Sequence, residues 1–345
     1  MSDSGRVRLG VIGCGKFPNA ALFPCFHLSP IELVAVCDLD RERAERTAAT
    51  FGAARAYQEH REMISRESLD AVMIVVGPAV NPNLAIDAMR SGLHVYVEKP
   101  PALTAEEAER MATVSRETNR FLAVGFMKRF GTAYRMAKHI IDSPEFGGLA
   151  HLTCKFTSGI YVPAWSKELT PLSFLLDHSI HHLDLIQYYA GPVEWVCAQR
   201  STGGKERFGF AAVLRFRGGA TGLVEVSNYE SRGVPNEQLR LLGDGRSVVV
   251  ENVSHLTYHR NAVAMDRDRD VDREHDSLIW APNMTAISPE NWSLAHMGYL
   301  GEILNFAECV LAGTPPTPNM LDGIAALRLV HAIHDSHGRP LTLRN

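Results

Sequence analysis

The first third of the chain alternates short apolar runs with longer amphipathic segments. Runs rich in β-branched residues are typical of buried strands, and segments with apolar residues every three or four positions are typical of helices. The predicted strands are Val7–Ile12, Glu32–Cys37, Ala71–Val76, His94–Val97 and Phe121–Val124, and the predicted helices are Arg41–Phe51, Asn83–Ser91 and Thr104–Thr118. This alternation predicts an α/β domain over residues 1–125, built on a parallel sheet wrapped by helices.

The pattern changes after about Gly125. Consecutive strand-like runs, separated by short glycine-containing turns such as RGGA and GDGR, predict an antiparallel sheet. The predicted strands are Val193–Ser201, Phe208–Phe216, Ala220–Asn228, Gln238–Leu242 and Ser247–Glu251, and the predicted helices are Arg135–Asp142, Leu172–Tyr189, Leu294–Ala312 and Met320–His334. Residues 126–345 are therefore predicted to form an α+β domain with a large, mainly antiparallel sheet.

Composition limits the classes of partner without changing this two-domain picture. Of the 345 residues, 46% are hydrophobic and 21% charged, and the net charge of -4 gives no electrostatic reason to expect nucleic acid or an anionic membrane. The N-terminus, MSDSGRVRLGVIG, has no apolar signal core before its first strand, and the six cysteines form no CxxC pair. We therefore expect a cytoplasmic protein with reduced cysteines.

The first predicted strand ends in a glycine turn, VIGCGKFP. Gly13 and Gly15 permit a tight turn and the close approach of a pyrophosphate to backbone N–H groups at a helix N-terminus. Pro18 replaces the third glycine of the usual dinucleotide fingerprint. Proline is tolerated in the first turn of a helix but is bulkier than glycine where helix and strand pack. The turn is thus a weak dinucleotide signal when taken alone.

Asp38, at the end of the second predicted strand, strengthens this signal. It follows Gly15 by about the twenty residues expected of the acid that hydrogen-bonds the adenosine ribose. Its carboxylate would repel a 2′-phosphate, which favours NAD over NADP, whereas the nearby Arg41 and Arg43 favour the opposite choice. The alternative is that Asp38 only caps the helix that follows it.

The stretch LLDHSIHHLDLIQYYAG places a second group of polar residues on a predicted helix. Asp177, His181 and Asp184 are spaced at i, i+4 and i+7, so they would share one face, where a carboxylate can orient a histidine and stabilise its charge. His178 and His182 have the spacing of zinc-binding HExxH helices, but a serine stands where that motif requires glutamate. We therefore predict acid–base chemistry here and no metal.

The strand His94–Val97 runs directly into the sequence EKPP. Proline has no N–H to give to a sheet, so the strand must end there. Ligands of open parallel sheets bind beyond the carboxyl ends of the strands, and Lys99 is therefore predicted to face the nicotinamide end of a cofactor. Since X-Pro bonds adopt the cis form readily, we also predict a cis Lys99–Pro100 bond before the helix that Thr104 caps.

The order of these motifs resembles the family of glucose-fructose oxidoreductase and inositol dehydrogenase over essentially the whole chain. The motifs that carry the resemblance are the glycine turn with Asp38, AxxAMRSGLHVYVEKP, GFMKRF, DHSIHHLD and YLGEILNFAECVLAG. The resemblance implies a Rossmann-type first domain and an open-faced sheet in the second domain that is used for oligomerisation. It also implies a catalytic group made of Lys99, Asp177 and His181.

The function that follows is an NAD-dependent dehydrogenase that oxidises, or reduces back, a secondary alcohol of a sugar, sugar derivative or cyclitol. His181 is predicted to be the base, oriented by Asp177, while Lys99 polarises the reacting oxygen or shares the proton. The two proton-transfer roles can be exchanged between Lys99 and His181. The resemblance leaves two alternatives: a glycosidase that uses tightly held NAD, and a non-catalytic sugar-pathway regulator that binds a dinucleotide.

The predicted binding sites contain more residues than the catalytic group. The predicted cofactor-binding residues are Gly13, Gly15, Lys16, Phe17, Asp38, Pro78, Asn81, Glu98 and Lys99. The predicted substrate-binding residues are Lys99, Arg129, Trp165, Asp177 and His181, and Tyr161 and Asn228 are further pocket candidates with an equally good structural explanation. Asn81 stands roughly where many relatives have a histidine. The expected partners are the small-molecule substrate and further copies of the chain, as a homodimer or homotetramer.

Overall fold

The computed structural model describes residues 5–160, 165–166, 168–201, 203–204, 206–231, 236–260, 276–283, 285 and 287–344. Within these residues the chain forms two compact units. The first unit contains the residues up to Met127 together with Gly298–Arg328, and the second contains Lys128–Met297 together with the residues from Leu329 onward.

A parallel sheet forms the centre of the first unit. Its strands are β1 (Val7–Ile12), β2 (Ile31–Cys37), β3 (Arg55–Tyr57), β4 (Ala71–Ile74), β5 (His94–Val97) and β6 (Leu122–Val124). Among the described residues the strand order is β3-β2-β1-β4-β5-β6, and all pairings are parallel. The strand order reverses between β1 and β4, which is where doubly wound sheets bind dinucleotides. The predicted Rossmann-type sheet is confirmed.

Helices connect these strands. They are α1 (Lys16–Ala21), α2 (Arg41–Phe51), α3 (His60–Arg66), α4 (Asn81–Arg90) and α5 (Ala105–Thr118). The start of α5 is a capping box: the Thr104 hydroxyl accepts the N–H of Glu107, and the Glu107 carboxylate accepts the N–H of Thr104. The predicted start of this helix is therefore confirmed.

A larger sheet forms the centre of the second unit. Its strands are β7 (His151–Thr157), β8 (Val193–Arg200), β9 (Gly209–Phe216), β10 (Thr221–Ser227), β11 (Glu237–Leu242), β12 (Ser247–Glu251), β13 (His255–His259), β14 (Ser277–Trp280) and β15 (Leu341–Thr342). Among the described residues their order is β14-β13-β12-β11-β7-β10-β9-β8-β15. All pairings are antiparallel except that of β7 with β10. The predicted α+β domain with a mainly antiparallel sheet is confirmed.

Helices cover part of this second sheet. They are α6 (Thr132–Ile141), α7 (Pro171–Phe174), a π-helical turn (Leu175–Ser179), α8 (Ile180–Ala190) and α9 (Ser293–Met297). Two more helices follow in the chain: α10 (Tyr299–Ala312), which belongs to the first unit, and α11 (Met320–Asp335), which begins in the first unit and ends in the second. Within the second unit, α6 packs against β12 and α8 packs against β7. Across the described residues, no helix is both long and apolar enough to cross a membrane.

The position of α10 differs from the predicted division of the chain. The sequence pattern assigned all of residues 126–345 to the second domain, whereas α10 packs against β1 and the 3₁₀ turn Phe23–Leu28 of the first unit. Ile303 and Phe306 are buried on α10, and the Phe306 ring meets the ring of Tyr96 edge-on at 5.8 Å. The predicted domains were consecutive segments of the chain, so they could not include a late helix that returns to the first sheet.

The sequence pattern also missed several elements, of which β7 matters most. β7 lies between β11 and β10, near the middle of its sheet. Its sequence, HLTCKFT, alternates polar and apolar residues, and Leu152 and Cys154 are buried. No short hairpin turn marks it, because both of its partners come much later in the chain. The other missed elements are β3, α3, β13, β14 and β15.

Candidate active site

The glycine turn lies between β1 and α1. Gly13 has a φ of 104°, and a Cβ at this position would lie 2.2 Å from the carbonyl oxygen of Val75, so only glycine fits. Gly15 is the N-cap of α1, and because it has no side chain it does not cap the first N–H groups of this helix. A Cβ at Gly15 would meet nothing nearer than the ring of Pro18, at 4.0 Å, so the protein leaves open space beside Gly15. The turn therefore has the close backbone approach that a pyrophosphate needs.

Asp38 lies at the end of β2, beside this turn. Its Oδ2 accepts the N–H of Cys14 at 2.9 Å, and its Oδ1 accepts the N–H of Asp40 at 2.9 Å. The Arg43 guanidinium lies 3.3 Å from the same carboxylate. The N-cap of α2 is Asp40 and not Asp38, so the alternative that Asp38 caps this helix is wrong. Backbone N–H groups thus hold the Asp38 carboxylate at the edge where the ribose of a dinucleotide would lie.

Lys99 follows β5 at the same edge of the first sheet. The Lys99–Pro100 bond is cis, as predicted. The carboxylate of Glu98 is buried; its Oε2 accepts the N–H of Lys99 at 3.0 Å, and its Oε1 accepts the hydroxyl of Tyr96 at 3.0 Å. Burial raises the pKa of Glu98, and the positive charge of Lys99 opposes this effect. Glu98 therefore fixes the backbone of Lys99.

Asn81, a predicted cofactor contact, is the first residue of α4 and is buried. Its Nδ2 donates to the carbonyl oxygens of Glu98 at 3.4 Å and of Pro100 at 3.2 Å, and its Oδ1 accepts the N–H of Gly77 at 3.2 Å. The Asn81 amide thus holds together the loop after β4 and the turn after β5. Its predicted contact with the cofactor stays a prediction.

Three more predicted cofactor contacts lie in the loops at this edge. Lys16 and Phe17 begin α1 and are exposed, and the Phe17 ring meets the ring of Tyr299 edge-on at 5.8 Å. Pro78 is buried in the loop between β4 and α4. The contacts of these residues with a cofactor stay predictions.

In the second unit, Asp177 lies in the π-helical turn Leu175–Ser179. This turn joins α7 to α8, so the predicted continuous helix is widened at the predicted catalytic carboxylate. A π turn inserts one residue into a helix and is frequent at functional sites. The regular i, i+4, i+7 spacing that the sequence suggested for Asp177 and His181 is therefore altered between them.

Asp177 is buried, and the side chains of Trp165 and His178 lie beside its carboxylate. Its Oδ1 accepts the indole N–H of Trp165 at 3.2 Å, and its Oδ2 lies 3.8 Å from Nε2 of His178. His181 is the second residue of α8 and is half-buried. The structure thus brings the predicted substrate residue Trp165 to the predicted catalytic carboxylate.

Arg129, another predicted substrate residue, forms a buried ion pair. Its guanidinium binds the Asp184 carboxylate through two hydrogen bonds of 2.8 and 2.5 Å, and it lies 5.0 Å from the ring centre of Tyr188. Arg129 is 9% exposed, so little of it faces solvent. The pair ties the segment after β6 to α8, less than one helical turn after His181. A substrate contact of Arg129 stays a prediction.

A second buried network surrounds Glu237, at the start of β11. Its carboxylate accepts Lys128 at 2.5 and 2.8 Å and the hydroxyl of Tyr134 at 2.9 Å, and it lies 2.6 Å from Nε2 of His182. Burial alone would raise the pKa of Glu237, but Lys128 and His182 outweigh burial and hold it well below its ordinary value. The ring of His182 stacks on Phe156 of β7 at 4.2 Å. The residue after His181 is thereby fixed to the sheet.

The sequence interpretation missed this network. Its available signal was the pair of cations in GFMKRF, which are unusual next to a predicted buried strand. Their acidic partners lie 109 residues later for Lys128 and 55 residues later for Arg129, so no local pattern could identify them. Glu302, the single acid in the apolar stretch YLGEILNF, was missed as well.

Of the two further pocket candidates, Tyr161 lies outside the described residues. Asn228 is fully buried; its Oδ1 accepts the N–H of Phe208 at 2.7 Å, and its Nδ2 donates to the carbonyl of Glu206 at 2.8 Å. These bonds support the structural explanation of Asn228.

The reversal point of the first sheet, the glycine turn and the fixed Asp38 carboxylate define the class of α/β enzymes that bind dinucleotides. Residues 7–126 match the NAD-binding Rossmann fold domain of an oxidoreductase family, and residues 138–343 match the C-terminal alpha/beta domain of the same family. The chain belongs to this oxidoreductase family, and the resemblance to glucose-fructose oxidoreductase and inositol dehydrogenase is confirmed.

Individual relatives are similar over almost the whole chain. Myo-inositol 2-dehydrogenase of Thermotoga maritima is 26% identical, with 96% of each chain covered. The NAD(+)-dependent scyllo-inositol 2-dehydrogenase of Bacillus subtilis is 26% identical, with 98% of this chain and 96% of the relative covered. Among solved structures, a dehydrogenase from Chromobacterium violaceum superposes with a TM-score of 0.85 at 23% identity, covering 96% of this chain and 95% of that one.

Proposed function

We propose that the protein is an NAD-dependent dehydrogenase of a secondary alcohol in a sugar, sugar derivative or cyclitol. The observation that carries the proposal is the placement of Lys99 after β5, with its backbone fixed by Glu98, at the sheet edge that also holds the glycine turn. The names of the two inositol dehydrogenases support a cyclitol or a related polyol as substrate. The membership in an oxidoreductase family supports the reaction class.

The residues of the first unit fit a dinucleotide. The cradle at Gly13 leaves no room for a Cβ, and the Asp38 carboxylate is held by two backbone N–H groups, ready to accept ribose hydroxyls. The negative charge of Asp38 favours NAD over NADP. Arg43 lies 3.3 Å from this carboxylate and partly offsets its charge, so the preference for NAD is one of degree.

The protein groups would handle the proton of the substrate hydroxyl. NAD, when bound, accepts the hydride from the carbon that is oxidised. His181 takes the hydroxyl proton, Asp177 keeps the protonated histidine oriented, and Lys99 donates a hydrogen bond to the reacting oxygen. The exchange of the two proton-transfer roles between Lys99 and His181 is the second form of the same proposal.

The indole of Trp165 has a defined role in this scheme. It donates to one oxygen of Asp177, at 3.2 Å, and so fixes the orientation of that carboxylate. A buried carboxylate that accepts such a hydrogen bond keeps a fixed direction. Trp165 and Asp177 together would then select a hydroxylated ring.

The test measures the formation of NADH by its absorbance with a panel of candidate substrates. Inositols, free sugars and sugar derivatives are each incubated with the protein and with NAD or NADP. The proposal predicts net NADH formation with at least one polyol. Glycoside cleavage without net NADH formation would instead identify the NAD-using glycosidase, and dinucleotide binding without any turnover would identify the regulator.

We also propose that the protein is a cytoplasmic homodimer or homotetramer, assembled through the open face of the second sheet. On β9 and β10, Val213 and Leu223 are directly paired across the strands and are 45% and 46% exposed, so an apolar patch lies on this face. Light scattering should show that Leu223→Glu lowers the molecular mass to that of the monomer. The control Leu321→Glu changes an exposed leucine of the first unit and should keep the assembly.

A further inference from the structure

The first turn of α8 is anchored to the second sheet by one buried histidine. His182 is 1% exposed, and its Nε2 lies 2.6 Å from Oε2 of Glu237, the first residue of β11. The His182 ring also stacks on the ring of Phe156 in β7, with 4.2 Å between the ring centres and 25° between the planes. Glu237 and Phe156 are paired directly across the two strands. A single side chain thus ties α8 to two adjacent strands.

His182 is the donor in its contact with Glu237. Burial lowers the pKa of His182, although the Glu237 carboxylate acts in the opposite direction, so the ring is uncharged at neutral pH. Its Nδ1 is buried and has no hydrogen-bond partner among the described residues, so a proton on Nδ1 would lack an acceptor. The one proton of the ring is therefore on Nε2, where the carboxylate accepts it.

The acceptor of this hydrogen bond is itself fixed. The Glu237 carboxylate binds the Lys128 ammonium at 2.5 and 2.8 Å and the Tyr134 hydroxyl at 2.9 Å. Lys128 belongs to the 3₁₀ turn Met127–Phe130 after β6, and Tyr134 belongs to α6, so neither is part of α8. The carboxylate consequently keeps a countercharge and a hydrogen-bond donor whether or not His182 donates to it.

The register of α8 matters because the two predicted catalytic residues lie on either side of a helical irregularity. Asp177 is inside the π turn Leu175–Ser179, and His181 follows at the second position of α8. A π turn inserts one residue into a helix, and a slip of one residue rotates a side chain by about 100° around the helix axis. Asp177 is held by the indole of Trp165, which precedes the turn. The direction of His181 relative to Asp177 therefore depends on what anchors α8.

A second buried contact of α8 lies on another side of the helix. Asp184 binds the Arg129 guanidinium at 2.8 and 2.5 Å. Because Asp184 follows His182 by two residues, the two side chains are about 200° apart around the axis. The Arg129 pair thus keeps α8 in place when the sheet contact is lost, and loss of that contact should misdirect His181 without unfolding the helix.

We propose that His182 is a positioning residue for His181: its hydrogen bond to Glu237 fixes the first turn of α8 on the sheet and so holds the His181 imidazole in the direction that proton transfer requires. The proposal rests on the proposed function for the role of His181 as the base. It adds that the alignment of this base is set from β11, 55 residues after His182 in the chain.

The first test measures kcat with the best polyol substrate. His182→Phe removes the donor but keeps a ring beside Phe156, and the protein should fold because Glu237 keeps its other partners. Its kcat should fall about 10- to 100-fold, as a small misplacement of a catalytic group does, while the Kd for NAD stays unchanged. His182→Gln retains an N–H donor and should recover most of the loss. Tyr134→Phe removes a hydrogen bond to the same carboxylate from α6 and should keep the wild-type kcat.

The solvent deuterium isotope effect on kcat separates positioning from a loss of folded protein. A smaller folded fraction lowers kcat without changing an isotope effect, whereas a misdirected base slows the proton transfer itself. The isotope effect should therefore be larger for His182→Phe than for the wild type and for Tyr134→Phe. Three results would each overturn the proposal: wild-type kcat in His182→Phe, an equal fall in Tyr134→Phe, or a fall in kcat with an unchanged isotope effect.

The second test needs no substrate, so it remains decisive if the polyol panel shows no turnover. NMR spectra are recorded on protein labelled at the histidine rings, with the His181 signals assigned from His181→Gln. Tyr134→Phe should keep the wild-type His181 signals, whereas His182→Phe should displace or double them. Unchanged His181 signals in His182→Phe would contradict the proposed positioning.

A double variant replaces His182→Phe if that protein does not fold. Lys128→Met with Glu237→Leu removes the acceptor of His182 and leaves no buried charge of this ion pair, and such replacements of a buried ion pair are often neutral for stability. The double variant should show the same fall in kcat and the same change of the His181 signals. Wild-type kcat together with wild-type His181 signals would overturn the proposal.

Discussion

The two compact units hold their predicted reactive side chains by different means. In the first unit the supports lie closer in the chain: Glu98 fixes the N–H of the adjacent Lys99, and Asp38 is held by the N–H groups of Asp40 and of Cys14, 24 residues earlier. In the second unit the supports come from distant residues, such as the Lys128 and Glu237 pair, whose members are 109 residues apart. Local supports depend on backbone geometry, whereas distant supports depend on buried charge.

This difference predicts which property a substitution in each unit changes first. A change in the first unit should alter chemistry or cofactor choice while the fold survives, because its supports are hydrogen bonds at a strand end. A change in the buried ion pairs of the second unit should first reduce stability, since an uncompensated buried charge is strongly unfavourable. The predictions below test this contrast, beginning with the largest effect.

Loss of either proton-handling side chain should give the largest effect. Lys99→Ala and His181→Ala should each lower kcat by about 10²–10⁴-fold, the range typical of lost acid–base catalysis. NAD binding, measured by calorimetry, should survive in both. Lys138→Ala and His139→Ala, of which Lys138 is half-buried and His139 exposed on α6, are the matched controls and should keep wild-type kcat. Near-normal kcat in either site variant would remove that residue from the scheme.

Glu237→Gln should mainly affect stability. It leaves the buried Lys128 without its anion, and the free energy of unfolding should fall by about 3–5 kcal/mol. Glu230→Gln breaks the half-exposed pair with Lys155 and should cost at most about 1 kcal/mol. Denaturant unfolding measures both losses of free energy, and equal losses would contradict the claim that the stability of the second unit depends on its buried charges.

The pH dependence of the same pair has a defined sign. Because the pKa of Glu237 is depressed in the folded state, its stabilisation is present above the unfolded glutamate value of about 4.3 and is lost as pH falls below it. The wild type should therefore lose stability on acidification more steeply than Glu237→Gln. If the free energy of unfolding fell equally with acidification in the two proteins, Glu237 would not be held ionised by its neighbours.

Asp38→Ala should change cofactor choice more than stability. Hydrogen bonds to a charged group contribute about 1.5–3 kcal/mol, so kcat/KM for NAD should fall by about 10–100-fold. The value for NADP should fall less, because the repulsion of the 2′-phosphate is removed and Arg43 is released from Asp38. Glu42→Ala, an exposed acid on α2, is the control. A wild-type preference for NADP would contradict this assignment.

Thr104→Ala should give the smallest effect. It removes the side-chain half of the capping box of α5, and the free energy of unfolding should fall by about 1 kcal/mol. Thr113→Ala, in the exposed middle of the same helix, should have a smaller effect. Thermal unfolding compares the two, and a larger loss at Thr113 would show that the cap does not anchor this helix.

The same contrast explains how much could be predicted from sequence. The Rossmann-type sheet, the start of α5 and the cis Lys99–Pro100 bond each depend on adjacent residues, and all were predicted. The π turn at Asp177 was not, because its sequence has the same apolar spacing as a regular helix. The partners of Arg129 and Glu237 depend on packing between distant segments, which one sequence without a fold does not reveal.

The most direct test of the central claim follows the hydrogen atom itself. The best polyol of the substrate panel is prepared with deuterium on the carbon that is oxidised and is incubated with the protein and unlabelled NAD. Mass spectrometry of the nucleotide should then show NADH with one deuterium, in an amount equal to the ketone formed, and His181→Ala should slow its appearance. Unlabelled NADH, or ketone formed without NADH, would contradict direct hydride transfer and with it the dehydrogenase assignment.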